Sequence, residues 1–215
     1  MLIVGSPANP TGEVLAAERF AALAALAEER GFWLVSDEVY EELWLAAAPR
    51  YPRGPRVLHV GGISKSLALT GMRLGWLVGP PEVIAQLQGL HQNLVTCAPS
   101  LAQVAALAGF AMPVAELDAV RDEYRRRWAA MRSALAGIRD LTWREPAGAF
   151  YCLADLRARS SDTTALAFDL ARRGEVLVVP GEAFGPAAGG WLRLTFASPE
   201  QAIREGVARL AAALS

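Results

Sequence analysis

The sequence predicts an α/β fold with a mostly parallel sheet, followed by a smaller α+β unit. Short apolar runs at LIVG (2–5), FWLVS (32–36), VLHVGG (57–62) and MRLGWLVG (72–79) read as buried strands. A helical pattern separates the first two, and strands alternating with helices favour parallel pairing. From Pro99 the order changes to consecutive helices and then short strands. A chain of 215 residues holds one large domain or two small ones. The expected division is a first domain over 1–98, connecting helices over 99–137 and a small C-terminal domain over 138–215.

Each element has its own signal. LIVG runs into SPANPTG (6–12), where Asn, Pro and Gly are turn formers. Residues 13–30 are rich in Ala, Leu and Glu; Phe20, Leu23, Leu26 and Ala27 recur at helical spacing, and Gly31 stops the helix. FWLVS ends at Asp37, and a Pro- and Arg-rich connection (49–56) leads to VLHVGG. Pro80 and Pro81 close MRLGWLVG. Residues 100–111 and 114–137 read as helices, the second long and amphipathic. REPAGAFYCLADL (144–156), a helix around 163–173, VLVVPG (176–181), WLRLTFA (191–197) and a helix from Pro199 make up the smaller unit. In WLRLTFA, Leu192, Leu194 and Phe196 alternate with Arg193, so the arginine points away from their face.

Bulk properties narrow the function classes. Hydrophobic residues make up 53% and charged residues 20%, a globular balance. The formal net charge of −1, without a long basic run, argues against nucleic acid or an anionic membrane as partner. RDEYRRRW (121–128) is basic, but its acids and helical pattern make it a solvated face. Cys97 and Cys152 form no CxxC, which fits a reducing compartment. His59 and His91 have no Cys or carboxylate partner at metal-ligand spacing, so no metal site is expected. With no leader-like N-terminus and no apolar run of membrane-spanning length, the expectation is a soluble cytoplasmic protein.

One side chain stands apart from its composition. Lys65 is the only lysine among 21 Lys plus Arg residues. Guanidinium stays protonated, so arginine cannot replace lysine where an amine must lose its proton and attack a carbonyl. The unperturbed lysine pKa is about 10.4, and partial burial or nearby positive charge favours the neutral amine. Arg73 is placed to supply such charge and to hold a dianionic phosphate bidentately. Asp37 is the type of residue that holds a pyridinium nitrogen. A lysine Schiff base with an acidic ring-nitrogen partner is the pair that pyridoxal phosphate chemistry requires. Asn9, Asp37 and Lys65 each follow a strand-like run, and in open parallel sheets the ligand crevice lies outside those carboxyl ends. Singly these features are weak: an Asp after a strand is more often a cap, and NPTG is first a turn. GGISKS is not a phosphate-binding P-loop, because Ser64 and His59 stand where that motif needs glycines.

In order, SPANPTGEV, VSDEVYEEL and SKSLALTGMRLGW resemble the three signature segments of fold-type I, class I/II aminotransferases. EPAGAFYCLADL, VVPGEAFG and WLRLTFA resemble that family's C-terminal domain, so the similarity covers essentially the whole chain. The resemblance implies a partial large pyridoxal-phosphate-transferase domain, its sheet parallel apart from one antiparallel strand, and then the smaller α+β domain. It also implies roles. Lys65 would hold pyridoxal 5'-phosphate as a Schiff base and move the proton in the reaction. Asp37 would partner the pyridine nitrogen. Tyr40 and Asn9 would hydrogen-bond the ring's phenolic oxygen, with Asn9 also at the substrate. Val39 would pack on one ring face, Ser64 and Arg73 would bind the phosphate, and Arg193 would clamp the substrate α-carboxylate. Many family members carry a hydroxyl three residues before the lysine, where this chain has Gly62.

The family normally has a substantial part before the NPTG segment. It supplies first strands, a phosphate-gripping loop, an aromatic residue on the other ring face and a tyrosine that crosses the dimer. By resemblance the sequence starts at the fourth strand and reads as the C-terminal portion of such an enzyme, with a homodimer implied for the full-length chain. Three functions stay open at this level. The first is transfer of an amino group between an amino acid and a 2-oxo acid. The second is elimination or decarboxylation with the same cofactor, which product analysis separates from the first. The third is a non-catalytic cofactor-binding relic, like the aminotransferase-like modules of some regulators, which would bind cofactor without turnover.

Overall fold

β-Branched and leucine-rich runs pair into two sheets. In the first, the order is β1 (Leu2–Gly5), β2 (Leu34–Asp37), β3 (Val57–Gly62), β4 (Gly75–Val78). β1, β2 and β3 are parallel, and β4 returns antiparallel to β3. The computed structural model describes residues 1–46, 49–160 and 162–214. Its contacts fall into two units: Met1–Pro7 with Val14–Asp118, and Ala8–Glu13 with Ala119–Ser215.

In the first unit, α1 (Ala17–Arg30) lays Phe20 and Ala27, both fully buried, against Leu34 and Val57. Leu23 and Ala24 pack beside them. Leu26, which recurs at the same helical spacing, is 40% exposed. At 3.6 residues per turn it lies about 120° round the helix from Phe20, whereas Ala27 lies within about 20°. The helix ends on Gly31, at φ 71°. The 72–79 run is shorter as a strand than expected, because Thr70–Met72 is a 3₁₀ turn and Arg73 takes a left-handed φ of 51°. The β3–β4 register sets Gly61 opposite Trp76, and a Cβ at Gly61 would lie 2.4 Å from the indole.

Pro80 and Pro81, read as a stop, also start a helix: α3 (Pro81–Val95) has proline at its first positions, where the missing N–H costs nothing. α4 (Ser100–Phe110) follows the short α2 (Ile63–Ser66) and α3 in chain order. α4 buries only Ala102 and Ala106 and exposes Leu101, Val104, Leu107 and Phe110. No single helix among the described residues is long and apolar enough to cross a membrane.

The second sheet has the order β5 (Thr142–Arg144), β6 (Tyr151–Asp155), β8 (Trp191–Thr195), β7 (Val179–Pro180), all antiparallel. Leu192, Leu194 and Phe196 are buried with Trp128, Met131 and Leu135 from the long α5 (Val114–Leu135) and Ile203, Val207 and Leu210 from α7 (Glu200–Ala213). α6 (Thr163–Asp169) passes into a π turn, Leu170–Gly174. The VLVVPG run forms a strand only over Val179–Pro180, and Leu177 is 88% exposed.

Candidate active site

In the first unit the parallel register brings two chemically useful strand ends to one sheet edge. Asp37 is the last residue of β2 and pairs in register with Val60 of β3. β3 ends at Gly62 and passes directly into α2, which carries Ser64 and Lys65. The end of β2 is held on both sides: Ser6 N donates to Asp37 O at 3.0 Å, and Glu38 N donates to Val60 O at 2.8 Å. The chain then turns, with Val39 N donating to Asp37 Oδ1 at 3.3 Å, Glu41 N to Glu38 O and Leu43 N to Tyr40 O. Tyr40 is buried, while Asp37, Val39, Ser64 and Lys65 are half-buried.

α2 is anchored at its start, where the Ser66 hydroxyl donates to Gly62 O at 2.9 Å. The left-handed turn at Arg73 aims its guanidinium back toward this helix. Nη1 donates to Thr70 O at 3.0 Å and lies 3.4 Å from the Ser64 hydroxyl. A hydroxyl and a guanidinium nine residues apart in sequence thus meet one residue from Lys65, the composition an anion requires.

The second unit contains the other two expected residues. Asn9 belongs to the segment Ala8–Glu13, and its Oδ1 accepts from Arg193 Nη1 at 2.9 Å. Arg193 points away from the buried face of Leu192, Leu194 and Phe196, as the alternation predicts. Its guanidinium carbon lies 4.4 Å from the Tyr151 ring centroid and 5.1 Å from that of Phe184. Two aromatic faces therefore hold it by cation–π attraction. Its Nε is buried with no hydrogen-bond partner among the described residues. The segment that carries Asn9 is clamped at Gly12, whose carbonyl accepts from Ala147 N at 2.8 Å and Gly148 N at 2.9 Å. Sequence reasoning passed over Tyr151 and Phe184, although both lie in the AGAFY and GEAFG segments it singled out.

It also missed a pair behind the first-unit residues. His59 Nδ1 lies 2.5 Å from Glu38 Oε1, with both side chains largely buried. The pair lay beyond local spacing: the two residues stand 21 positions apart and meet because Glu38 directly follows β2, beside the strand that carries His59. No group of three or more metal-ligating side chains occurs among the described residues. Around the pair, burial above all, and then the Glu38 and Glu42 carboxylates, push the Glu41 carboxyl above its ordinary range; His59 and Arg53 pull it back in part. Cys152 is buried and its thiol is pushed up, first by burial and then by Glu145, so it is an inert core group.

The family model for aminotransferase class I and II matches residues 1–210. The arginine–pyruvate transaminase of Pseudomonas aeruginosa is 35% identical over 98% of this chain and 55% of its own length. The aspartate/prephenate aminotransferase of Thermus thermophilus is 37% identical over 99% of this chain and 56% of its own. Among solved structures, the aspartate aminotransferase from Thermus thermophilus with maleate superposes with a TM-score of 0.91 at 36% identity, covering 99% of this chain and 56% of that one. An aromatic aminotransferase from Pyrococcus horikoshii gives 0.91 at 30% identity, covering 98% of this chain and 58% of that chain. The chain spans about 55% of the length of the curated relatives it matches.

Proposed function

This chain belongs to the aminotransferase class I and II family, and from that premise we propose that it takes part in pyridoxal-phosphate-dependent transfer of an amino group between an amino acid and a 2-oxo acid. The observation that carries the reading is the shared edge of β2 and β3. There an Asp ends one strand, the chain's only lysine follows the next, and a serine–arginine pair stands beside that lysine. This donor set fits pyridoxal phosphate: an amine for its aldehyde, a carboxylate for its ring nitrogen, and a hydroxyl with a guanidinium for its phosphate. When bound, the cofactor supplies an electron sink that stabilises charge developing at the substrate Cα.

Each residue then has a defined task. Asp37, whose carbonyl accepts from Ser6 N while the next residue, Glu38, donates to Val60 O, would offer its carboxylate to the ring nitrogen. Lys65 would hold the cofactor through Nζ, and its amine would serve as the general base and acid that accepts and returns the substrate proton. By the family resemblance, Tyr40 and Asn9 would donate to the ring's phenolic oxygen, and Val39 would cover one ring face. Ser64 and Arg73 hold the phosphate. Arg193, steadied by Tyr151 and Phe184, presents its fork to a substrate carboxylate, and its partnerless Nε is a donor held in reserve beside that fork. A cytoplasmic location belongs to the same proposal. So does a homodimer of the full-length protein, supported by the exposed apolar side chains of α4 and by Leu90 and Leu94 of α3.

The test is covalent capture. The chain is titrated with pyridoxal phosphate, reduced with borohydride, digested and mapped. Label confined to the Lys65 peptide, with none in K65R, is the expected result. Label spread over the N-terminal amine with no visible band, or none at all, overturns the reading for these residues.

A further inference from the structure

We infer that the Glu38–His59 pair is a positioning device: it fastens the loop that carries Asp37 and Tyr40 to the strand that leads to Lys65. The inference rests on the pyridoxal-phosphate reading for its functional half and on geometry alone for its structural half. Among the described backbone bonds, Glu38 N to Val60 O is the last rung between this loop and β3. Beyond it, Glu41 N and Leu43 N turn back onto Glu38 O and Tyr40 O within the loop itself. The Glu38 side chain adds the missing tie, reaching His59 Nδ1 at 2.5 Å. His59 is opposite Ser36 in β2 and in the same strand as Gly62, the residue before α2. One carboxylate–imidazole contact therefore sets the spacing between the Asp37–Tyr40 loop and the base of Lys65.

The pair is an expensive way to fill this space, which argues for a role beyond packing. His59 is 7% exposed, with its ring centroid 6.2 Å from that of Phe20. Its Nε2 is buried with no partner among the described residues. An aliphatic side chain would fill the same face without an orphaned ring nitrogen, and buried polar pairs often give specificity of geometry at a cost in stability. The surroundings make the imidazole necessary once Glu38 is present. Glu41 and Glu42 bring further negative charge to the same loop, opposed by His59 and Arg53, while the Tyr51 hydroxyl also experiences the Glu38 charge. Removal of His59 leaves the Glu38 carboxylate buried among like charges, and the loop relieves this by moving outward, taking Asp37 and Tyr40 with it.

The experiment uses H59A, H59Q and E38Q in the full 215-residue chain. Amide exchange at Glu41 and Leu43 is measured without cofactor. Pyridoxal phosphate affinity and the wavelength of the bound cofactor's visible band are measured with it. In H59A, exchange at those two amides rises at least about tenfold, the equivalent of one lost buried hydrogen bond, while amides of α7 keep their protection. Cofactor affinity falls by a similar factor of about ten and the band shifts. H59Q, which retains a donor, recovers most of both effects, and E38Q reproduces them in the milder form expected of a neutral partner. Unchanged exchange at Glu41 and Leu43 in H59A overturns the inference. So does a loosened loop with wild-type affinity and wavelength, which would reduce the pair to packing. If the unsubstituted chain takes up no pyridoxal phosphate, the function reading fails, and the exchange result still decides whether the pair fastens the loop. Should H59A not fold, E38Q is read against the same criteria, with H59Q as the variant expected to stay near the parent.

Discussion

Replacing Gly12 by alanine strikes the turn that presents Asn9. Gly12 has φ 69°, a conformation that costs an alanine roughly 1–2 kcal/mol. An added Cβ would stand 2.5 Å from Pro146 Cβ and 3.0 Å from the carbonyl oxygens of Gly148 and Tyr151. Two of those three neighbours are backbone, so relief requires the 146–148 segment to withdraw. That segment is held by the bonds from Ala147 N and Gly148 N to the Gly12 carbonyl, and the loss of one costs about 1 kcal/mol. The sum is about 2–3 kcal/mol. In a chain of this size each kcal/mol lowers Tm by roughly 2–4 °C, so the expected fall is about 4–12 °C. Urea titration followed by circular dichroism measures the same quantity independently. G12N separates the two causes: asparagine tolerates the left-handed region, so it recovers about 1 kcal/mol of the backbone cost but retains the clash. A G12A chain within about 0.5 kcal/mol of the parent, in the range of an ordinary surface substitution, would falsify the steric account.

R193K keeps the charge but loses the planar fork that reaches Asn9 and lies between Tyr151 and Phe184. In a single-turnover assay of bound cofactor with an amino acid donor, the half-saturating donor concentration should rise about tenfold or more; an unchanged value removes Arg193 from the carboxylate site. For Glu41, burial raises the folded carboxyl above its unfolded value of 4.5, so ionisation is a cost of folding. That cost appears as pH rises from the unfolded value through the raised folded one and is full above it. E41Q should therefore melt higher than the parent near neutral pH, and the advantage should vanish as the pH falls below about 4.5. A constant difference across that window would show that the gain comes from packing.

Local pattern determined much of this protein. The lone lysine after VLHVGG, the Asp after FWLVS and the alternation around Arg193 could be read from residue type and spacing, because strand period and turn chemistry act over a few neighbours. The same local reasoning failed where a signal had two meanings. Pro80 and Pro81 end one element and begin another, and VLVVPG has strand composition yet pairs over two residues only. Leu26 shares the helical spacing of Phe20 and Ala27, but its angular position on α1 puts it outside.

What only the tertiary structure decided are the meetings across distance. The contact between Arg73 and Ser64 depends on a left-handed turn that no arginine advertises. Arg193 finds Asn9 184 positions away, and Glu38 finds His59 on the neighbouring strand. Those partners are chosen by sheet register and chain reversal, and a one-residue slip in either would send each side chain to the opposite face. The sequence therefore determines which chemistry is present, because that is a property of single residues. Which groups touch is a property of how strands are ordered, and that order exists only once the chain has folded.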